Sequence, residues 1–307
     1  MMELPDFIYP VRWTLNFGIP LNVYLIRGCD YAVYIDSGVN SLFDQLLSAL
    51  DQAQVPYDRL RFILHTHSHH DHIGCDRRLK ERTGCLIAVH PLYAAWHTDF
   101  ERHYQEFARP FPELIPDTPE LRAEVLGILD GEHKVDLLID EGITFDLGGV
   151  RLTALAFPGH MKAELGWLEP ESRTLILGDA ITGLDWPIFH SHLSVPSYRT
   201  TLQKIRELVA DGQVERVLFA HFPPMAAGDA VRLTEQAEQY LEAIEIALIR
   251  ILAERDCATL GELWQELCAR MGRQQEFRAL NTVHAHIEDL MQREVIREIE
   301  HRVYALR

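Results

Sequence analysis

Residues 64–74 read LHTHSHHDHIG and carry four ligand-type side chains in six positions: His67, His69, Asp71 and His72. The apolar run just before them, residues 61–64 (RFIL), reads as a short buried strand. A helix is expected to start near Asp71, so the turn between strand and helix can gather the four side chains at one point. Imidazole and carboxylate together suit zinc and its first-row neighbours. His65 and His70 flank the set and are expected to point away from it, in structural roles. Further along, three apolar runs each end in a single ligand-type residue: His160 in PGH (158–160), Asp179 in LGD (177–179) and His221 in FAH (219–221). Each alone reads as a turn former or a satisfied polar residue. Beside the first cluster, they read as the rest of one ligand set.

The segment THSHHDHIG resembles the HxHxDH signature of the metallo-β-lactamase superfamily, and PGH, GD and AH are similar to its later motifs in order and spacing over residues 15–225. The resemblance implies an α/β fold, a four-layer αβ/βα sandwich with the site at one edge between two sheets. It implies one metal on His67, His69 and His160, a second on Asp71, His72 and His221, and Asp179 bridging the two. Asp36, in YIDSG (34–38), resembles the family's first motif and is expected to accept a hydrogen bond from a ligand histidine, fixing its tautomer. The implied cofactors are two divalent ions, zinc foremost, with iron or manganese as alternatives. Two such ions roughly 3.5–4 Å apart share a hydroxide that attacks a carbonyl or phosphorus. Asp71 is then the catalytic candidate, orienting the nucleophile or passing a proton to the leaving group.

The other elements follow from patterning. Residues 21–26, 31–35, 85–89, 150–156, 174–177 and 217–219 read as strands, with a turn at Gly28-Cys29-Asp30, and 41–53 reads as an amphipathic helix. Residues 90–130 form a long excursion rich in aromatics and proline, read equally as a substrate-binding lid or an extra packing layer. Within it His97, His103 and Tyr104 are weak site candidates. His190 and His192, soon after Asp179, are candidate substrate contacts. A boundary is expected near residue 229, giving a 1–228 metallo-β-lactamase-like domain. Residues 229–307 then read as a long helix (230–253), two more helices (259–271 and 279–293) and a β-hairpin, a winged-helix-like pattern.

Charge narrows the function. The chain has 29 basic and 46 acidic residues, a net of −17, and residues 229–307 hold 10 arginines, no lysine and 15 acidic residues. That is a poor surface for phosphate, so nucleic acid and anionic membrane are disfavoured as partners. Five irregularly spaced cysteines without a CxxC, no leader pattern and no long apolar run read as a cytoplasmic protein. The expected substrate is a small or carrier-linked acyl compound, a thioester, ester or lactone. The alternatives are an endoribonuclease of the β-lactamase-like-2 type, a nucleic-acid-binding regulator with a ligand-sensing lactamase-like domain, and iron-based oxidation. The helix from Ala230 reads equally as a homodimer element or as ordinary core.

Overall fold

The computed structural model describes residues 3–181, 186–189 and 191–307. Two six-stranded sheets pack face to face. The first comprises β1 (Ile8–Thr14), β2 (Pro20–Arg27), β3 (Ala32–Ile35), β4 (Leu60–Leu64), β5 (Leu86–Val89) and β6 (Leu137–Leu138), in that order across the sheet. The β1–β2 and β2–β3 pairs are antiparallel, and β3 to β6 run parallel. The second comprises β7 (Thr144–Asp146), β8 (Arg151–Ala156), β9 (Leu165–Glu169), β10 (Thr174–Leu177), β11 (Arg216–Phe219) and β12 (Met225–Ala226), also in sequential order. All its pairs are antiparallel except β10–β11.

Both faces of the central strands are covered, which explains why LNVYLI reads as a continuous apolar run rather than an alternating one. Tyr24 and Ile26 of β2 face the second sheet, with Leu152, Trp167, Ile176 and Leu218 opposite. Val23 and Leu25 face outward and are covered by Leu46 and Leu50 of helix α1 (Phe43–Gln52) and by Leu79 of α2 (Asp76–Thr83). The outer face of the second sheet is covered by α6 (Val195–Ala210) and the first half of α7 (Ala227–Arg255). The layers are therefore helix, sheet, sheet, helix, as expected.

The excursion folds as α3 (Ala94–Thr98), α4 (Phe100–Ala108) and α5 (Pro119–Leu126). Its aromatic residues share one core with the second half of α7, α8 (Leu260–Met271) and α9 (Phe277–Gln292). Thr259 and Glu262 form a reciprocal cap at the start of α8. A third, antiparallel sheet of β13 (Ala258–Thr259), β14 (Ile296–Glu300) and β15 (Val303–Leu306) closes the chain. Helix α7 thus belongs to two packing units: Ala230, Leu233, Ala237 and Leu241 serve the sandwich, and Ile244, Leu248, Ile251 and Leu252 serve the C-terminal core. No described helix is long and apolar enough to cross a membrane.

One expectation is corrected. The helix after the histidine cluster begins at Asp76, not near Asp71. Residues 72–74 lie alongside 37–38 as a parallel bridge: Ser37 N donates to His72 O (2.8 Å) and Gly74 N to Gly38 O (2.6 Å). A Cβ on Gly74 would meet three backbone atoms at 2.6 Å, so only glycine permits this approach.

The sandwich core yields a stability prediction. Trp167 is fully buried between the sheets, edge-on to Phe145. Trp167→Ala is expected to lower unfolding free energy by about 3–5 kcal/mol, read as a fall in the urea midpoint at unchanged slope.

Candidate metal centre

Every residue of the expected ligand set sits just beyond a strand end or in a loop at the same edge of the sandwich. His67, His69, Asp71 and His72 follow β4, His160 lies between β8 and β9, Asp179 follows β10 and His221 follows β11. The folding brings them together in two groups. His67, His69, His160 and Asp179 converge with one ligand atom each lying within 4.8 Å of the others, and so do Asp71, His72 and His221. Asp179 faces both. Its Oδ2 lies 3.4 Å from His160 Nε2 and 4.0 Å from His67 Nε2, while its Oδ1 lies 3.2 Å from His221 Nε2 and 3.5 Å from His72 Nε2. Asp71 Oδ2 is 3.4 Å from His221 Nε2.

The outward-facing ring nitrogens are held by the protein. His72 Nδ1 donates to Asp36 Oδ2 (2.9 Å), and His67 Nδ1 to Thr66 Oγ1 (3.1 Å), whose hydroxyl donates on to Asp36 Oδ2 (2.8 Å). His221 Nδ1 donates to Pro20 O (2.7 Å) and His160 Nδ1 to Ser191 O. This arrangement leaves the inner nitrogens as lone pairs aimed at the centre, as metal sites require. Among the described residues, His67 Nε2 and His72 Nε2 are buried without a hydrogen-bond partner, and His69 Nδ1 lies only 2.9 Å from His160 Nε2.

Electrostatics agree. Burial, then neighbouring imidazoles, hold His67 and His69 well below the usual histidine range, so both are neutral. Burial also opposes charge on His72 and His221. On His72 the carboxylates of Asp36, Asp179 and Asp71 outweigh it and raise the imidazole well above its ordinary value; on His221, Asp179 and Asp71 raise it to about 10. A closed site with several carboxylates calls for positive charge, and a divalent cation meets that demand with neutral imidazoles. The groups therefore suit a metal ion.

Asp36 lies where expected, behind the site, and does more than orient one ring. It also accepts from Thr66 N (2.8 Å) and lies 3.3 Å from His65 Nδ1. Burial pushes its carboxyl up, but the imidazoles of His72 and His65 outweigh this and hold it below the ordinary range. His65 points away from the centre, as expected, toward Asp76. His70 does not: its ring lines the cleft beside Asp71, against Phe107.

Of the two candidate substrate contacts, His190 lies outside the described residues. His192 is corrected: it is 1% exposed, stacked on Tyr198 and beside His286, and lines neither cleft. The carbonyl of Ser191 is fixed by His160, so Ser191 faces the cleft and the next side chain turns inward. Among the weak candidates, His103 stacks on Trp96, Tyr104 donates to Asp117 Oδ1 (2.9 Å), and His97 joins Asp76.

Two residues at the site were not foreseen. Glu164 Oε1 accepts from Asp179 N (2.6 Å), fixing the bridging loop; burial and then the Asp179 charge push its carboxyl well above the ordinary range. Arg278, on α9, lines the same cleft as Asp71, paired with Glu124 (2.7 Å) and Glu276 (2.9 Å). Neither sits in a motif, and only the three-dimensional approach of distant segments reveals them.

The family model for the metallo-beta-lactamase superfamily matches residues 18–221. The chain belongs to the metallo-β-lactamase superfamily. Within it, the chain is 29% identical over 231 residues to the acyl-coenzyme A thioesterase MBLAC2 of Gallus gallus, covering 69% of this chain and 76% of the relative. To the acyl-coenzyme A thioesterase MBLAC2 of Homo sapiens it is 27% identical over 256 residues, covering 78% and 86%. A metallo-beta-lactamase family protein of Thermus thermophilus matches in structure with a TM-score of 0.79 at 20% identity, over 99% of this chain and 100% of that one. A beta-lactamase domain protein from Burkholderia ambifaria matches at 0.73 and 15% identity, over 100% and 94%. The shared fold therefore extends through the C-terminal helices and hairpin.

Removing the acceptor behind the site tests this geometry. Asp36→Ala is expected to weaken zinc binding about 10–100-fold, measured by chelator competition on the folded protein.

Proposed function

We propose that this superfamily hydrolase cleaves acyl thioesters, with carrier-linked acyl groups as the substrate class. The observation that carries the reading is an apolar cleft opening onto the His/Asp centre. A cavity of about 380 Å³ holds His69, His70, Asp71, Asp179 and His221 in its wall. A second, of about 590 Å³, is lined by Tyr93, Trp96, Phe107, Phe111, Met161 and Leu193. The two share His69, Phe107 and Ser191, so they adjoin beside the centre, and an acyl chain held in the second would lie next to it. The named relatives, acyl-coenzyme A thioesterases at 27–29% identity, support the same chemistry.

In this reading His67, His69 and His160 would hold one divalent ion, Asp71, His72 and His221 another, and Asp179 both, with zinc as the first choice. Such ions supply an acidified water and a Lewis acid for the carbonyl. The chain's own residues do the rest. Asp71, with its side chain 15% exposed at the cleft wall, accepts the proton of the attacking water and returns it to the departing thiolate. Phe107, packed on the His69 ring at 4.3 Å, keeps bulk water from the acyl side and holds that ring in place. Arg278, fixed by two carboxylates, sets part of the cleft wall.

The test is a hydrolysis panel of acyl-CoA thioesters, lactones, aryl esters, phosphodiesters and single-stranded RNA on metal-loaded protein. Thioester turnover is expected, with kcat reduced at least about 100-fold in Asp71→Ala. RNA cleavage with silent thioesters would overturn the reading. Leu92, on the rim of the apolar cleft and 54% exposed, allows a mild second test. Leu92→Asp is expected to raise KM for long acyl chains and leave kcat/KM for acetyl thioesters unchanged.

A further inference from the structure

Behind the centre lies a second convergence of ligand-type groups. Asp76 opens α2, His97 sits in α3 and His133 follows the excursion; one ligand atom of each lies within 4.8 Å of the others. His97 Nδ1 is 2.9 Å from His133 Nε2, and these atoms stand 3.4 and 3.0 Å from Asp76 Oδ2. His65 Nε2 approaches the same oxygen to 2.9 Å from the other side. All four residues are buried: Asp76 and His97 fully, His65 to 1% and His133 to 9% exposure.

The outer nitrogens decide what the inner ones offer. His133 Nδ1 faces the carbonyl of Gly131 (3.1 Å) and His65 Nδ1 faces Asp36 Oδ1 (3.3 Å); both partners only accept, so both nitrogens carry the hydrogen. His97 Nε2 meets the hydroxyl of Ser68 (2.9 Å). The inner nitrogens, His97 Nδ1 and His133 Nε2, face one another and a buried carboxylate, where a cation can take the place of protons. Two ring nitrogens 2.9 Å apart need a proton or a cation between them. The same contact, ring nitrogen to ring nitrogen at 2.9 Å, occurs between His69 and His160 at the first centre. Donors on a tetrahedron with bonds of roughly 2.0 Å stand roughly 3.3 Å apart, and the Asp76, His97 and His133 atoms span that spacing.

We propose that Asp76, His97 and His133 form a separate structural site for one zinc-class divalent ion. Two nitrogens and one carboxylate oxygen supply three donors, all on buried side chains that line neither cleft, which fits a structural role for the ion and not a catalytic one. The ion would join the start of α2 to both ends of the excursion, where His133 N already donates to His97 O (2.9 Å). It would thus hold the lining of the apolar cleft to the metallo-β-lactamase sandwich. The proposal stands apart from the substrate reading and does not depend on it.

Metal counting tests it. Protein loaded with zinc and freed of excess is measured by mass spectrometry of the metal, as wild type, His97→Ala, His133→Ala and His103→Ala. His103 is a buried neighbour outside the cluster. The expected result is one ion fewer per chain in His97→Ala and His133→Ala and an unchanged count in His103→Ala. Equal counts in all four proteins would overturn the proposal. Should the alanine variants not fold, wild-type crystals grown with zinc decide the matter at the zinc absorption edge. An anomalous peak among Asp76, His97 and His133 is expected, and no peak there overturns it.

Discussion

The candidate centre depends on a residue that is not one of the expected ligands. Asp36 leaves the end of β3 with a backbone φ of 61°, in the left-handed region that side chains other than glycine seldom adopt. That turn brings its carboxylate under the histidine loop, where Oδ1 faces the Thr66 backbone N–H and His65, and Oδ2 the Thr66 hydroxyl and a ring nitrogen of His72. Thr66 in turn orients His67. One buried charge thus fixes the tautomers of rings on both sides of the loop, those facing Asp179 and the one facing Asp76. The local strain is held by the several hydrogen bonds that converge on it.

The excursion and the C-terminal helices have little meaning apart. Phe107 lies between the His69 ring and Phe277 of α9, at 4.3 and 5.0 Å. Asn281 donates to Phe107 O, and Arg278 reaches Glu124 of α5. Substitutions in α9, some 200 residues from the histidine loop in sequence, therefore act on the wall of the cleft. The choice posed by the sequence, lid or packing layer, dissolves: the same aromatic residues pack the C-terminal core and line the cleft.

What is legible in the sequence follows from local rules. Strands covered on both faces are continuous apolar runs, and the residues that end them emerge together at one edge, so His160, Asp179 and His221 can be placed with the first cluster. Strand β1 is hidden because Pro10 interrupts its pattern; proline is tolerated at the sheet edge, where a missing donor costs little. The start of α2 is displaced because residues 72–74 bond sideways to 37–38, a contact no window of local sequence reports. Asp76, His133, Glu164 and Arg278 are single polar residues whose partners lie on other segments, and His192 differs from Ser191 only in which way its side chain turns. Long-range approach decides all five.

The strand pairings have one more consequence. In the first sheet β1 to β4 pair antiparallel, antiparallel, parallel; in the second, β8 to β11 pair antiparallel, antiparallel, parallel. The sandwich is thus two renderings of one hairpin-and-crossover unit facing each other, although their sequences show no repeat. The histidine loop comes from one half, while His160, Asp179 and His221 come from the other. Neither half is complete alone, and the centre lies where the two meet, as an active site does at the seam of a dimer.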